Sequence, residues 1–159
     1  VIDLISVFPF DWRGIFICLF CATLIGLERQ IRGKPVGIRT ASLIVLGTYV
    51  FVSLGTIEGM PQVEQGRIVG QVITGIGFLG AGVMLARDGA VVGVTSAATI
   101  WVLAAIGITI AKGYYLPAIL ISMVVLAVLV GVDYLESKTL LLTKGVHAKL
   151  HKWKSRHKP

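Results

Sequence analysis

Three groups of residues could do chemistry. Gly75-x-Gly77-x-x-Gly80 matches the glycine fingerprint of dinucleotide-binding folds. That fingerprint works between a strand and a helix N-terminus, with an acidic residue ~20 positions on. Both flanks here are long apolar runs, so a nucleotide site is not expected. Cys18 and Cys21 form C-x-x-C, yet inside an apolar run with neither an electropositive exposed thiol nor four ligands. They read as small residues on a lipid-facing helix. His147 and His151 stand four apart, but no carboxylate or third imidazole is paired with them, so no metal is expected. No nucleophile, base and acid combine anywhere. The chain reads as a non-enzyme without a cofactor.

The elements that hold these residues are apolar. Of 159 residues, 55% are hydrophobic and 14% charged, and 19 are glycine; mean hydropathy is +0.87. Soluble domains carry about 25% charged residues, so this composition indicates an integral membrane protein. Charges and Gly/Pro breaks leave five apolar runs, at about 14–27, 40–57, 68–86, 89–111 and 114–132. Four approach the ~20 residues that cross a ~30 Å hydrocarbon core. The first is short, which places Glu28 and Arg29 at the headgroups or slightly below. The expectation is an all-α membrane protein of five transmembrane helices, with a membrane domain over 12–132 and a basic tail over 133–159.

Orientation follows the basic residues. Twelve of the fifteen Lys and Arg fall on one side of a five-span arrangement: Arg29, Arg32, Lys34, Arg39, Arg87 and seven in the tail. Arg13, Arg67 and Lys112 fall on the other. The N-terminus is expected outside and the C-terminus in the cytoplasm. The formal net charge of +7 therefore points to anionic lipid rather than nucleic acid.

Within the third run, small residues recur on opposite faces: Gly66, Gly70, Gly77 and Gly80 on one, Gly75 and Gly82 with Gln71 on the other. Small residues let helices approach closely, so this helix is expected at the buried centre. Gln71 and Thr74 need polar partners in lipid, from a neighbouring helix or by lining a pocket. In the fourth run Gly93, Ser96, Ala97, Ala104, Gly107 and Ala111 share an arc against the third helix, with Thr95 and Thr99 off it and Trp101 filling a packing gap. The spans contain no interior charge of the kind coupled transporters carry. The connection 28–40 is basic, and Arg39-Thr40 opens a helix N-terminus suited to an anion. Glu28, Arg29, Arg32, Lys34, Arg39 and Arg87 there contact lipid phosphates or form a regulatory anion or partner site, with Glu28 neutralising Arg29 or Arg39. In the tail, Val146, Leu150 and Trp153 alternate with Lys149, Lys152, Lys154 and Arg156, as in an amphipathic helix on an anionic surface or an acidic partner.

Gly26-Leu27-Glu28-Arg29, Gly37-Ile38-Arg39-Thr40, Arg67-Ile68-Val69-Gly70-Gln71, Thr74-Gly75-Ile76-Gly77-Phe78-Leu79-Gly80-Ala81-Gly82 and Thr95-Ser96-Ala97-Ala98-Thr99-Ile100-Trp101 resemble the transmembrane domain of the MgtC/SapB family. The resemblance covers about residues 12–132. It implies a five-span bacterial inner-membrane protein of virulence or stress adaptation and growth under magnesium limitation, acting by inhibiting the rotary ATP synthase rather than by transporting magnesium. The motif residues matched are Glu28, Arg29, Arg39, Gln71, Gly75, Gly77, Gly80, Gly82 and Trp101. The chain is expected to be a short member, without the cytosolic domain that follows the last span of the family's virulence factor. The first functional expectation is a regulator or accessory subunit bound to another membrane complex, or to a second copy of itself. The alternative is a small channel or transporter.

Overall fold

The computed structural model describes residues 8–55, 61–87 and 90–138. Five helices are present: α1 (Trp12–Ile31), α2 (Ile38–Leu54), α3 (Gln62–Gly82), α4 (Val94–Ala111) and α5 (Tyr115–Lys138). An antiparallel hairpin, β1 (Leu85–Arg87) and β2 (Ala90–Val92), joins α3 to α4, with Leu85 opposite Val92.

Among the described residues three helices are long and apolar enough to cross a membrane: α1, α4 and the Tyr115–Val132 part of α5. This corrects the five-span expectation. The second apolar run folds as a helix of only 17 residues, ~25 Å against a ~30 Å core. The third opens on Gln62, Glu64, Gln65 and Arg67 and ends at Gly82. Of the apolar residues after Gly82, counted as part of a span, Leu85 and Ala86 instead belong to the hairpin.

The centre of the bundle is also not the glycine-rich helix. α4 packs on α1, α2, α3 and α5, and α2 packs on α1 and α4. Ile25, Val45, Val52, Ile100, Leu103, Ile106 and Ile110 are fully enclosed between them. In α3 only Gly80 is buried. A methyl group at Gly66, Gly70, Gly75, Gly77 or Gly82 would meet nothing within 4 Å, whereas one at Gly107 of α4 would lie 2.6 Å from the Val45 carbonyl oxygen and 2.8 Å from Thr48 Cβ. The close approach that small residues permit is therefore used by Gly107, and by Gly26, where a methyl would sit 2.7 Å from Ile38 Cα. Cys18 and Cys21 are free thiols turned inward, not toward lipid. Trp101 is more than half exposed and fills no gap in the core.

Candidate functional site

Two ends of the bundle are distinguished by their polar groups. At one, the Asp11 amide donates to Tyr49 Oη at 2.9 Å, and Tyr115 Oη donates to Asp11 Oδ2 at 2.9 Å. The entry to α1 is thereby tied to α2 and α5. Asp11 also caps α1, accepting from the Arg13 amide. Nearby, Arg67 pairs with Glu64 and Lys112 Nζ donates to Gln65.

The other end carries the basic residues. Arg29 is 4% exposed, and its Nη2 donates to Ser96 Oγ at 2.7 Å, joining the last turn of α1 to the first turn of α4. Its Nε, though buried, has no hydrogen-bond partner. Glu28, 8% exposed, pairs with Arg32 one turn on, Oε1 to Nε at 2.6 Å, at an angle unsuited to a hydrogen bond, and its Oε2 has no partner. The short ion-pair contact of Glu28 is this i,i+4 pair with Arg32. Both buried groups belong to α1, which itself is of membrane-crossing length. They occupy the last turn of that helix. A buried polar atom without a partner calls for water, an ion or a ligand.

Chain reversal between α1 and α2 puts Val36 in the left-handed region, φ 71°, unusual for a β-branched residue. The turn is held because the Lys34 amide donates to the Arg29 carbonyl and Gln30 Oε1 accepts from the Ile38 amide. Lys34 and Arg39 are exposed beside it. Arg87 lies in β1, on the hairpin next to the start of α4. Lys149, Lys152, Trp153 and Lys154, with the amphipathic tail helix expected there, lie outside the described residues.

A cleft of about 700 Å³ opens between α2 and α3, with Ile100 of α4 as its floor. Thr40, Leu43, Gly47 and Phe51 form one wall, and Ile68, Gln71, Gly75, Leu79 and Val83 the other. Gln71 lines this cleft and makes no interhelical hydrogen bond among the described residues. Thr74 and Thr99 instead satisfy their hydroxyls on the carbonyls of Gly70 and Thr95, four residues back. Thr95 itself is exposed.

Residues 15–138 match the MgtC family. The chain belongs to that family. Among relatives, this MgtC-family chain is 39% identical over 145 residues to the putative magnesium transporter YhiD of Escherichia coli K12, covering 87% of the chain and 66% of the relative. It is 38% identical over 108 residues to protein MgtC of Salmonella typhimurium LT2, covering 68% of the chain and 46% of that protein. A Haemophilus influenzae protein is 39% identical over 119 residues, 69% of the chain and 50% of the relative. The chain spans just under half to about two-thirds of the length of these relatives. No solved structure matches it. As an MgtC-family member it is a protein of the inner membrane.

Ser96 was not singled out as a site residue from sequence. Its signal was present in part, as a hydroxyl within a stripe of small residues in the first turn of a helix.

Proposed function

We propose that this chain is a regulatory or accessory subunit that docks through the exposed small-residue face of α3 onto a helix of another membrane complex. The supporting observation is the open space beside Gly66, Gly70 and Gly77. With Thr74 and Ala81 they form a continuous exposed stripe at spacings of three and four, the pattern by which membrane helices associate. By family resemblance the partner proposed is the membrane sector of the rotary ATP synthase. The basic end (Arg29, Arg32, Lys34, Arg39 and Arg87) faces the cytoplasm and the Asp11 end faces outward, in keeping with the excess of basic residues on cytoplasmic sides. The membrane unit covers 12–132.

Gly77→Leu and Gly70→Leu test this reading. Neither replaces a contact within the chain, so both variants fold and melt as the parent does, while co-purification of ATP synthase subunits in mild detergent is lost. Retained co-purification with both variants removes α3 as the docking face.

A second reading, solute or ion transport, has one observation in its favour: the Glu28 oxygen and Arg29 nitrogen left unpartnered inside a membrane-length helix. The E. coli relative YhiD is named a putative magnesium transporter. Cation flux into vesicles that disappears in Glu28→Gln would establish it over the first.

A further inference from the structure

We infer that the cleft between α2 and α3 binds one anionic phospholipid, its acyl chain along the cleft and its phosphate at the N-terminus of α2 beside Arg39. This inference is independent of the docking face, which lies on another side of α3. The shape of the cleft is that of a chain site. From Thr40 to Phe51 it follows α2 for ~16 Å by helical rise, its lining is mostly apolar, and Gly47 and Gly75 leave its walls open, with nothing within 4 Å of a methyl at either. An apolar slot of this size, on a protein whose α1, α4 and α5 are long and apolar enough to cross a membrane, lies within reach of lipid and is better filled by hydrocarbon than left empty or wet. Gln71 sits one turn from the polar start of α3 and is exposed, so its amide can reach water.

Charge chooses the headgroup. Thr40, at the mouth, belongs to the first turn of α2, whose N-cap Gly37 offers no side-chain cap. The Ile38 amide is taken by Gln30 and the Ala41 amide by the Gly37 carbonyl, leaving the Arg39 and Thr40 amides for an outside acceptor. The exposed Arg39 and Lys34 flank that turn. Behind it, Ser96 lies one turn from the cleft floor at Ile100 and holds the buried Arg29, whose Nε has no partner. Glu28, the carboxylate of this corner, is engaged by Arg32. α5 packs on α1 and α4. A zwitterionic headgroup would place its own cation beside the exposed Arg39 and Lys34, whereas an anionic one brings them only negative charge.

The test is native mass spectrometry of the full chain from nanodiscs holding equal phosphatidylglycerol and phosphatidylcholine of identical acyl composition. One phosphatidylglycerol is expected to remain bound in preference. Gly75→Phe, which fills the cleft, abolishes that retention with unchanged melting, and Gly47→Phe fills it from the other wall should the first variant fail to fold. Arg39→Gln lowers the preference about fivefold, the contribution of one basic residue at an anionic surface. Equal retention of the two lipids, or retention by both cleft-filling variants, overturns the inference. So does melting raised equally by inorganic phosphate, which would identify a soluble anion, or a dimer that Gly75→Phe dissociates, which would put a second copy in the cleft.

Discussion

Leucine at Gly107 and leucine at Gly77 should have opposite consequences, although both glycines lie in apolar helices. At Gly107 the first added carbon would stand 2.6 Å from a backbone oxygen of α2, about 0.8 Å inside the 3.4 Å at which ordinary contact begins. A backbone oxygen cannot rotate aside, so α2 and α4 must separate. An opening of 0.5–1 Å forfeits about a quarter to a half of each dispersion contact along the seam. That seam includes Val45, Thr48, Leu103 and Ile106. Overpacking of this kind costs about 1–3 kcal/mol, and three further carbons with no room place Gly107→Leu at the upper end. Gly77→Leu enters open space beside lipid and gains helix propensity of a few tenths to ~1 kcal/mol. Thermal unfolding followed by size-exclusion fluorescence in one detergent should therefore give a lower midpoint for Gly107→Leu and an unchanged or slightly higher one for Gly77→Leu. Equal midpoints, or a larger loss at Gly77, would refute the placement of α4 rather than α3 at the centre.

Ser96→Ala removes the hydrogen-bond partner of a buried guanidinium and should cost about 1.5–3 kcal/mol, read as a lower detergent melting midpoint that Ser96→Thr largely restores. Arg39→Gln, at an exposed position, should leave melting within ~0.5 kcal/mol of the parent. Tyr115→Phe deletes the bond to the exposed Asp11 and should cost no more than ~1 kcal/mol in the same assay. A cysteine at Val63 should react with an impermeant maleimide from outside intact cells while one at Lys34 reacts only after lysis; the reverse pattern would invert the orientation.

Helix number and position were legible in the sequence because charges and Pro/Gly punctuate the apolar runs, and the family was legible in the strings around Glu28, Gln71 and Thr95. Which helix lies inside was not. Glycine frees a helix face for close approach but does not say whether a neighbour occupies it, and five glycines of α3 with open space beside them look in sequence like Gly107 pressed against Val45. Span length was misjudged for a related reason, since hydropathy does not distinguish the end of α3 from the strands Leu85–Arg87 and Ala90–Val92. At the site, the clustering of Arg29, Arg32, Lys34 and Arg39 is a local property and could be read directly. The contact of Arg29 with Ser96 spans 67 positions, and no spacing rule reaches that far.

The docking face is tested most directly by a photo-crosslinking residue at Gly77, compared with one at Ile106 in the core, irradiated in intact inner membranes. The Gly77 probe should join the chain to a membrane subunit of the ATP synthase, while the Ile106 probe yields only crosslinks within the chain. Intramolecular crosslinks alone from Gly77 would mean that α3 is covered by its own bundle and would contradict a docking role for its glycine face.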